Sequence, residues 1–530
     1  MKSYERAAAP AATAGTEVNH FVSRRFPKPT ADSVLICPVG GVGQIGMNWT
    51  LYGHAGRWIL IDAGSAFAPR DVQGVDAIFP DPRSLRSILP YLSALIVTHA
   101  HEDHIGAIHR LWPAIKAPIY ATPFASGILA ARFRELGRLG RVRIRTFNPG
   151  DSLRIGPFDV RTVRMTHSVP ECVALALGTT AGTILHTGDW KLDPDPVIGL
   201  PTDIDALGEI GRHGVLGMVC DSTNADRRGE ITSEAMVAEG LREVFVSAKG
   251  MAVVSCFATN VARLASVARA AAATGRKVAI AGRSMIRAEQ VARECGLLAG
   301  VPEFIHDVRH LRGLDRREMA LICTGSQGEG NAALARLASG DDGRLPEIGE
   351  GDVVVHSARV IPGNEEDVET VLDGLRARGA TVLQEEFNGK PLHVSGHAKA
   401  NELETLYGII RPRFAIPVHG ERTHLEAHSE IARLAGVKDV AIPAEGDVLM
   451  VSRRRIQRVA SVNVDLMCAL TSASGVRLAS WDPDKQEPVP LKEGNRHPKR
   501  PYIGRRPGGK PYSRVPHDRR IDDYSRTMRF

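Results

Sequence analysis

Residues 94–107, ALIVTHAHEDHIGA, set His99, His101, Asp103 and His104 at the end of an apolar run in the pattern HxHxDH. On an extended chain, positions 99 and 101 project from the same side, and a turn into a helix lets 103 and 104 face back toward them. Imidazole and carboxylate suit zinc or manganese, and the split into two pairs suits two ions rather than one. Two ions about 3.5 to 4 Å apart require further ligands and usually a bridging carboxylate. The chain offers His167 in RMTHSVPE, Asp189 in ILHTGDWK and His419 in AIPVHGER, each closing an apolar run before a turn. One ion would then be held by His99, His101, His167 and Asp189, the other by Asp103, His104, Asp189 and His419. Asp62, in WILIDAG, is a further acid at a strand end. The expected cofactors are two zinc ions, with manganese or magnesium in place of or alongside zinc.

Positioning these groups calls for strands that end together. SVLICPV, WTLYG, RWILIDAG and ALIVTHA read as strands, and strands alternate with helical patterns from about residue 33 to 450, which predicts an α/β fold. TSEAMVAEGLREVF carries a helical apolar stripe at 237, 241, 244 and 245, with Thr232 or Ser233 placed to cap it. AVVSCFATN, VARLASVARAAAATG and KVAIAG read as strand, helix and strand, with Gly275 as the helix stop. The same order around RGATVLQEE, ANELETLYGII and RFAIPVHG predicts a second α/β module. GGVGQIG contains GxGxxG at Gly41, Gly43 and Gly46. A dinucleotide site needs a helix to start there, and MNWTLYG reads as another strand, so the glycines make a strand-to-strand turn.

The 530 residues, 43% hydrophobic and 24% charged, describe a globular chain of two or three domains with no apolar stretch long enough to cross a membrane. Seven scattered cysteines without a CxxC indicate neither a disulfide framework nor a thiolate zinc site. The start, MKSYERAAAPAATAG, is too weakly apolar for a signal peptide, so residues 1–30 read as a loose arm on a cytoplasmic protein. Residues 495–530 hold 11 Lys and Arg against 3 Asp, leaving the remainder of the chain close to neutral despite the overall charge of +7. This Pro- and Gly-rich basic segment reads as a disordered tail suited to a nucleic-acid backbone.

Beyond these residues, GGVGQIGMN, IDAG, GVDAIFPD, THAHEDHIGA, HSVPE, HTGDWKLDPDP, CDSTNA, AGRSM, TGSQGE, IPGNE, HVSGHA and PVHGE run from about residue 38 to 449. On them the chain resembles the metallo-β-lactamase superfamily, within it the β-CASP nucleases, and most closely the bacterial ribonuclease J family. The resemblance implies an αββα sandwich, residues 31–210 and 380–455, interrupted by an inserted α/β β-CASP domain, residues 211–379. Residues 456–494 are left as a linker or the remnant of a C-terminal region. Family members usually continue into a small C-terminal domain expected to help dimerisation, and the altered region here leaves a homodimer or homotetramer and RNA-decay partners open, with the basic tail as an RNA tether.

The family's added motifs map onto Asp221, His397 and His419, and a histidine at the last of these favours RNA. The implied activity is hydrolysis of single-stranded RNA, in mRNA and rRNA precursors, 5′-to-3′ from 5′-monophosphate ends with additional endonuclease cuts. Asp62 would orient a ligand or the metal-bound water, and His397 paired with Asp221 would protonate or stabilise the leaving 3′ oxygen. Phosphate and RNA binding falls to Ser326, Gln327, Ser395, Gly396, His397 and Ala398, in small-residue segments whose backbone NH groups suit phosphate. A DNA-directed nuclease of the same branch and a catalytically weak RNA-binding scaffold are the competing readings.

Overall fold

The computed structural model describes residues 24–489, except 69–71, 73, 341 and 473–474; the basic tail and most of the N-terminal arm lie outside the described residues. Two sheets face each other. In the first, Ser33–Gly40 lies between Asp447–Ser452 and Trp49–His54, followed by Arg57–Ile61, Leu92–Ile96, Ile119–Ala121 and Ile144–Thr146. Ser33–Gly40 is buried along its whole length, and its period of two serves two cores. Val34 and Ile36 meet Val173, Leu175 and Ile184 of the second sheet, while Leu35, Cys37 and Val39 face outward to join Ile108 and Leu111 of helix Ile108–Ile115. Behind the second sheet, Ala174 and Ala176 pack with Leu403, Leu406 and Tyr407 of helix Ala400–Ile410. The result is the expected αββα sandwich. Each buried Leu or Ile contributes roughly 1.5–3 kcal/mol, so a one-residue slip that exchanged the faces is strongly disfavoured.

Strand direction explains why the candidate ligands share one edge. Phe158–Arg164 and Gly182–His186 are each antiparallel to Val173–Thr179, so they point the same way. Gly217–Asp221 and Phe414–Val418 then continue in parallel. His167, Asp189, Asp221 and His419 therefore all follow or close strand C-terminal ends. Arg57–Ile61 and Leu92–Ile96 are parallel in the facing sheet and deliver Asp62 and His99 to the same edge.

The inserted domain has a parallel five-stranded sheet in the order Lys277–Ala281, Met319–Cys323, Ala252–Ser255, Val353–His356, Thr381–Leu383. Helices Val261–Ala273 and Arg283–Glu294 cover one face, Ala333–Ser339 and Glu365–Ala377 the other. Ser233, not Thr232, caps helix Glu234–Ser247, and Gly275 follows helix Val261–Ala273 at φ +71°.

Two expectations change. The second α/β module divides between bodies: Thr381–Leu383 hydrogen-bonds to Val353–His356 at the edge of the inserted sheet, whereas Ala400–Ile410 and Phe414–Val418 belong to the sandwich. The inserted sheet thus extends past residue 379. Residues 456–494, read as a linker or a remnant C-terminal region, are folded in their described part: Ile456–Ser461 is an edge strand of the first sheet, and Leu466–Ser472, Gly475–Asp482 and Glu487–Val489 form a small sheet with Val75–Pro80. Short strands with exposed faces lack the long apolar runs that reveal strands in a sequence.

Candidate metal centre

His101 precedes the four-residue helix Glu102–Ile105, which turns Asp103 and His104 back toward His99. Ligand atoms of His99, His101, His167 and Asp189 lie within 4.8 Å of one another, as do those of Asp103, His104, Asp189 and His419. Asp189 belongs to both groups. Its Oδ2 is 3.1 Å from His104 Nε2, 3.7 Å from His99 Nε2 and 3.8 Å from His167 Nε2, and its Oδ1 is 3.1 Å from His419 Nδ1.

The donor set fits divalent cations. His167 Nδ1 donates to the carbonyl of Gly396 (2.6 Å), so the neutral ring presents the lone pair of Nε2. That atom is 3.0 Å from His101 Nδ1, itself 3.2 Å from His99 Nε2. Burial holds His99 and His167 well below the ordinary imidazole range and pushes His101 down to about 4, so these converging nitrogens stay neutral and electron-rich. Around the second group, burial opposes charge on His104 and His419, but the carboxylates led by Asp189 outweigh it and hold both rings above the ordinary range. Nitrogen and oxygen donors in this arrangement suit zinc, and Asp189 is common to both groups.

Asp62 does not reach the cleft. Its Oδ2 accepts from His104 Nδ1 (2.8 Å) and from Thr98 Oγ1 (2.7 Å), and its Oδ1 from the Thr98 amide (2.8 Å). It fixes the His104 tautomer, leaving Nε2 toward Asp189, in the carboxylate–histidine arrangement typical of metal ligands. Asp62 and His419 both adopt left-handed backbone conformations, φ +59° and +54°, which cost free energy in non-glycine residues.

Asp221 Oδ2 pairs with His397 Nδ1 at 2.8 Å. Burial raises the Asp221 pKa, but His397 and His419 outweigh it and the carboxyl stays below its usual range, an anion beside the imidazole. Gly396 is required by close approach: a Cβ there would stand 2.6 Å from His167 Cε1. Gly41, at φ +81°, accepts the His419 amide proton (2.7 Å), and a Cβ on it would lie 2.3 Å from Asn48 Oδ1. The glycine turn is thus a backbone support for His419.

These groups open on a cleft of about 2170 Å³ between the sandwich, the inserted domain and the small C-terminal sheet. Ser326, Ser395, Gly396 and His397 line it together with His101, Asp103, Asp189 and His419. Gln327 and Ala398 have other positions. The Gln327 side chain is buried, donating to the Arg359 carbonyl (2.9 Å) and accepting from the Ile361 amide (2.8 Å), and Ala398 packs in the core beside Leu403.

Three supporting residues escape a reading based on ligand types. Asn48 Nδ2 lies 3.1 Å from Asp103 Oδ2 and 2.9 Å from His104 Nε2; Thr98 holds Asp62; and Asn224 reaches Ser395 and His397. Asn48 and Asn224 sit in the GGVGQIGMN and CDSTNA segments, which carried the only sequence signal for them.

Three family models match the chain: "Beta-lactamase superfamily domain" over residues 57–219, "Ribonuclease J, beta-CASP domain" over 249–375, and "Zn-dependent metallo-hydrolase RNA specificity domain" over 390–443. Ribonuclease J of Sinorhizobium meliloti is 41% identical over 79% of this chain and 74% of its own length. That of Mycolicibacterium smegmatis is 39% identical over 85% and 78%, and that of Helicobacter pylori 36% over 81% and 62%. A crystal structure of a protein of unknown function from Enterococcus faecalis superposes with a TM-score of 0.54 at 17% identity, covering 79% of this chain and all of that one, a likeness of fold. Among the described residues no helix is long and apolar enough to cross a membrane. Sandwich, inserted domain, histidine–aspartate clusters and relatives agree: the chain belongs to the ribonuclease J family, metal-dependent hydrolases of the metallo-β-lactamase superfamily with a β-CASP domain.

Proposed function

We propose that this chain hydrolyses single-stranded RNA with two divalent ions, zinc foremost and manganese or magnesium as substitutes. One would be held by His99, His101, His167 and Asp189, the other by Asp103, His104, Asp189 and His419. The observation that carries the proposal is Asp189, which belongs to both ligand groups: its Oδ2 lies between His99 and His167 of the first and His104 of the second, and its Oδ1 meets His419 of the second. When bound, such ions acidify water near neutral pH and neutralise phosphate charge. Asp62 keeps His104 oriented, and His167 is kept oriented by Gly396. His397 lines the cleft with Nδ1 engaged by anionic Asp221, which leaves Nε2 as the atom that delivers a proton to the departing 3′ oxygen.

Ser326, Ser395 and Gly396, on the cleft wall, are the proposed contacts for RNA phosphates, including a 5′-terminal monophosphate. That assignment supports 5′-to-3′ exonuclease action, with internal cuts where a strand threads the cleft without its end seated. Digestion of one RNA bearing either a 5′-monophosphate or a 5′-triphosphate, with matched DNA as competitor, tests the reading in wild type and His101→Ala. Mononucleotides released from the monophosphorylated RNA by wild type alone are expected. Cuts indifferent to the 5′ end would overturn the terminal pocket, and preferred cleavage of DNA would overturn the substrate.

A further inference from the structure

The backbone of His397 is held by two side chains that carry no metal or acid–base role, and one of them is held in turn from the inserted domain. Asn224 Nδ2 donates to the carbonyl of His397 (3.0 Å) and to Ser395 Oγ (2.9 Å), and Ser395 Oγ accepts the His397 amide proton (3.2 Å). Both backbone polar groups of His397 are therefore fixed by the Asn224–Ser395 pair. Asp221, three residues before Asn224 on the same strand end, holds the ring. The Asn224 amide has one oxygen, and it accepts from Nη1 of Arg359.

Arg359 belongs to the inserted domain, just past the end of strand Val353–His356. Its carbonyl accepts from Gln327 Nε2, while Gln327 Oε1 accepts from the Ile361 amide and from Asn364 Nδ2 (3.2 Å). Gln327 adjoins Ser326, which lines the cleft. A continuous set of hydrogen bonds thus runs from the 325–329 loop through Gln327, Arg359 and Asn224 to the backbone of His397. An amide has a donor and an acceptor side, so Asn224 is oriented by Arg359 and then presents its N–H groups to His397 and Ser395.

We infer that Asn224 and Arg359 are positioning residues that align His397 for proton delivery and tie that alignment to the placement of the inserted domain. The inference rests on the proposed role of His397. An imidazole misplaced by an ångström at its proton acceptor loses much of its effect, so the expected result for Asn224→Ala and Arg359→Ala is a fall in kcat on RNA on the order of 10- to 100-fold. KM and bound metal stay at wild-type levels.

Bis(p-nitrophenyl) phosphate supplies the discriminating readout, because its leaving group departs without a proton. Both variants should hydrolyse it at the wild-type rate, Arg359→Lys should recover part of the RNA activity, and the double variant should be no slower than the slower single. Asn224→Asp keeps the acceptor for Arg359 and removes the donor to His397, so it should show the same loss on RNA with bis(p-nitrophenyl) phosphate hydrolysis unaffected, a readout that stands even if the alanine variant folds poorly. Equal losses on both substrates, a raised KM with kcat intact, or multiplicative losses in the double variant would overturn the inference. His397→Ala separates the two levels of the argument: if it slows both substrates alike, the proton-delivery role falls. If it is selective for RNA but Asn224→Ala slows it further, the role stands and the positioning inference falls.

Discussion

The sandwich edge and the inserted domain meet at the same cleft and are built differently. At the sandwich edge the braces lie within one domain: Asp62 holds the His104 ring, Thr98 holds Asp62, the Gly396 carbonyl holds the His167 ring, and the Gly41 carbonyl holds the His419 backbone amide. On the inserted side, Ser326 lies on a loop whose geometry comes from Gln327 and the 359–364 segment, and whose reach into the sandwich is Arg359 on Asn224. The first region fixes which atoms can bind metal. The second, on the function proposed above, would bring a substrate and His397 to them. Substitutions at the sandwich edge should change metal content, whereas those in the inserted loops should leave it unchanged and alter RNA handling.

The largest effect is expected at the shared carboxylate. Asp189→Ala should lower RNA hydrolysis by about 4 kcal/mol of transition-state stabilisation, roughly 1000-fold, with loss of bound metal in elemental analysis. Full metal content in that variant would break the comparison at its centre.

Next in size is an acid sensitivity placed in the sandwich. His428 is buried between Ser222 Oγ (2.8 Å) and Tyr407 OH (2.9 Å), and burial pushes it down to about 4. A histidine in the unfolded chain titrates near pH 6.5, so the unfolded state takes up the proton first as pH falls. Stability from this residue is full above about pH 6.5 and is lost as pH drops through about 4, a loss on the order of 3 kcal/mol. Urea midpoints from pH 7 to 4 should fall less steeply for His428→Gln than for wild type; parallel curves would remove the buried neutral histidine as the cause.

Asp62→Asn keeps the shape and removes the charge that fixes His104. Metal affinity should weaken about 10- to 100-fold, as measured by competition with a chelator. An unchanged affinity would show that His104 needs no support from its neighbour.

Smallest is Gln327→Ala, which frees the Arg359–Asn364 segment. Activity on RNA should fall roughly 10-fold with metal content intact. A loss of metal there would blur the division between the two regions.

Much of the sandwich was legible because its signals are local. HxHxDH needs only a strand end and a turn, and His167, Asp189 and His419 announce themselves by closing apolar runs. The seven proposed ligands do gather in two groups around Asp189. Gln327 and Ala398 were placed by their segments alone, and neighbours in a loop point in different directions, so one came to brace Arg359 and the other to fill the core. Strands Leu466–Ser472 and Gly475–Asp482 were missed because their pairing partner, Val75–Pro80, is nearly four hundred residues away in the chain.

What the sequence determined by itself was the chemistry available: imidazoles and carboxylates at strand ends, cysteines scattered without a CxxC, and strands whose alternating apolar residues demand two covering layers. What only the tertiary structure decided was which atom of each group faces which. Asp62 came to face His104 among the groups it could have oriented, and Asn224 took its place as the link between Arg359 and His397. The physical reason is that residue type sets what a side chain can donate or accept. Its partner is set by strand direction and by packing between domains far apart in sequence.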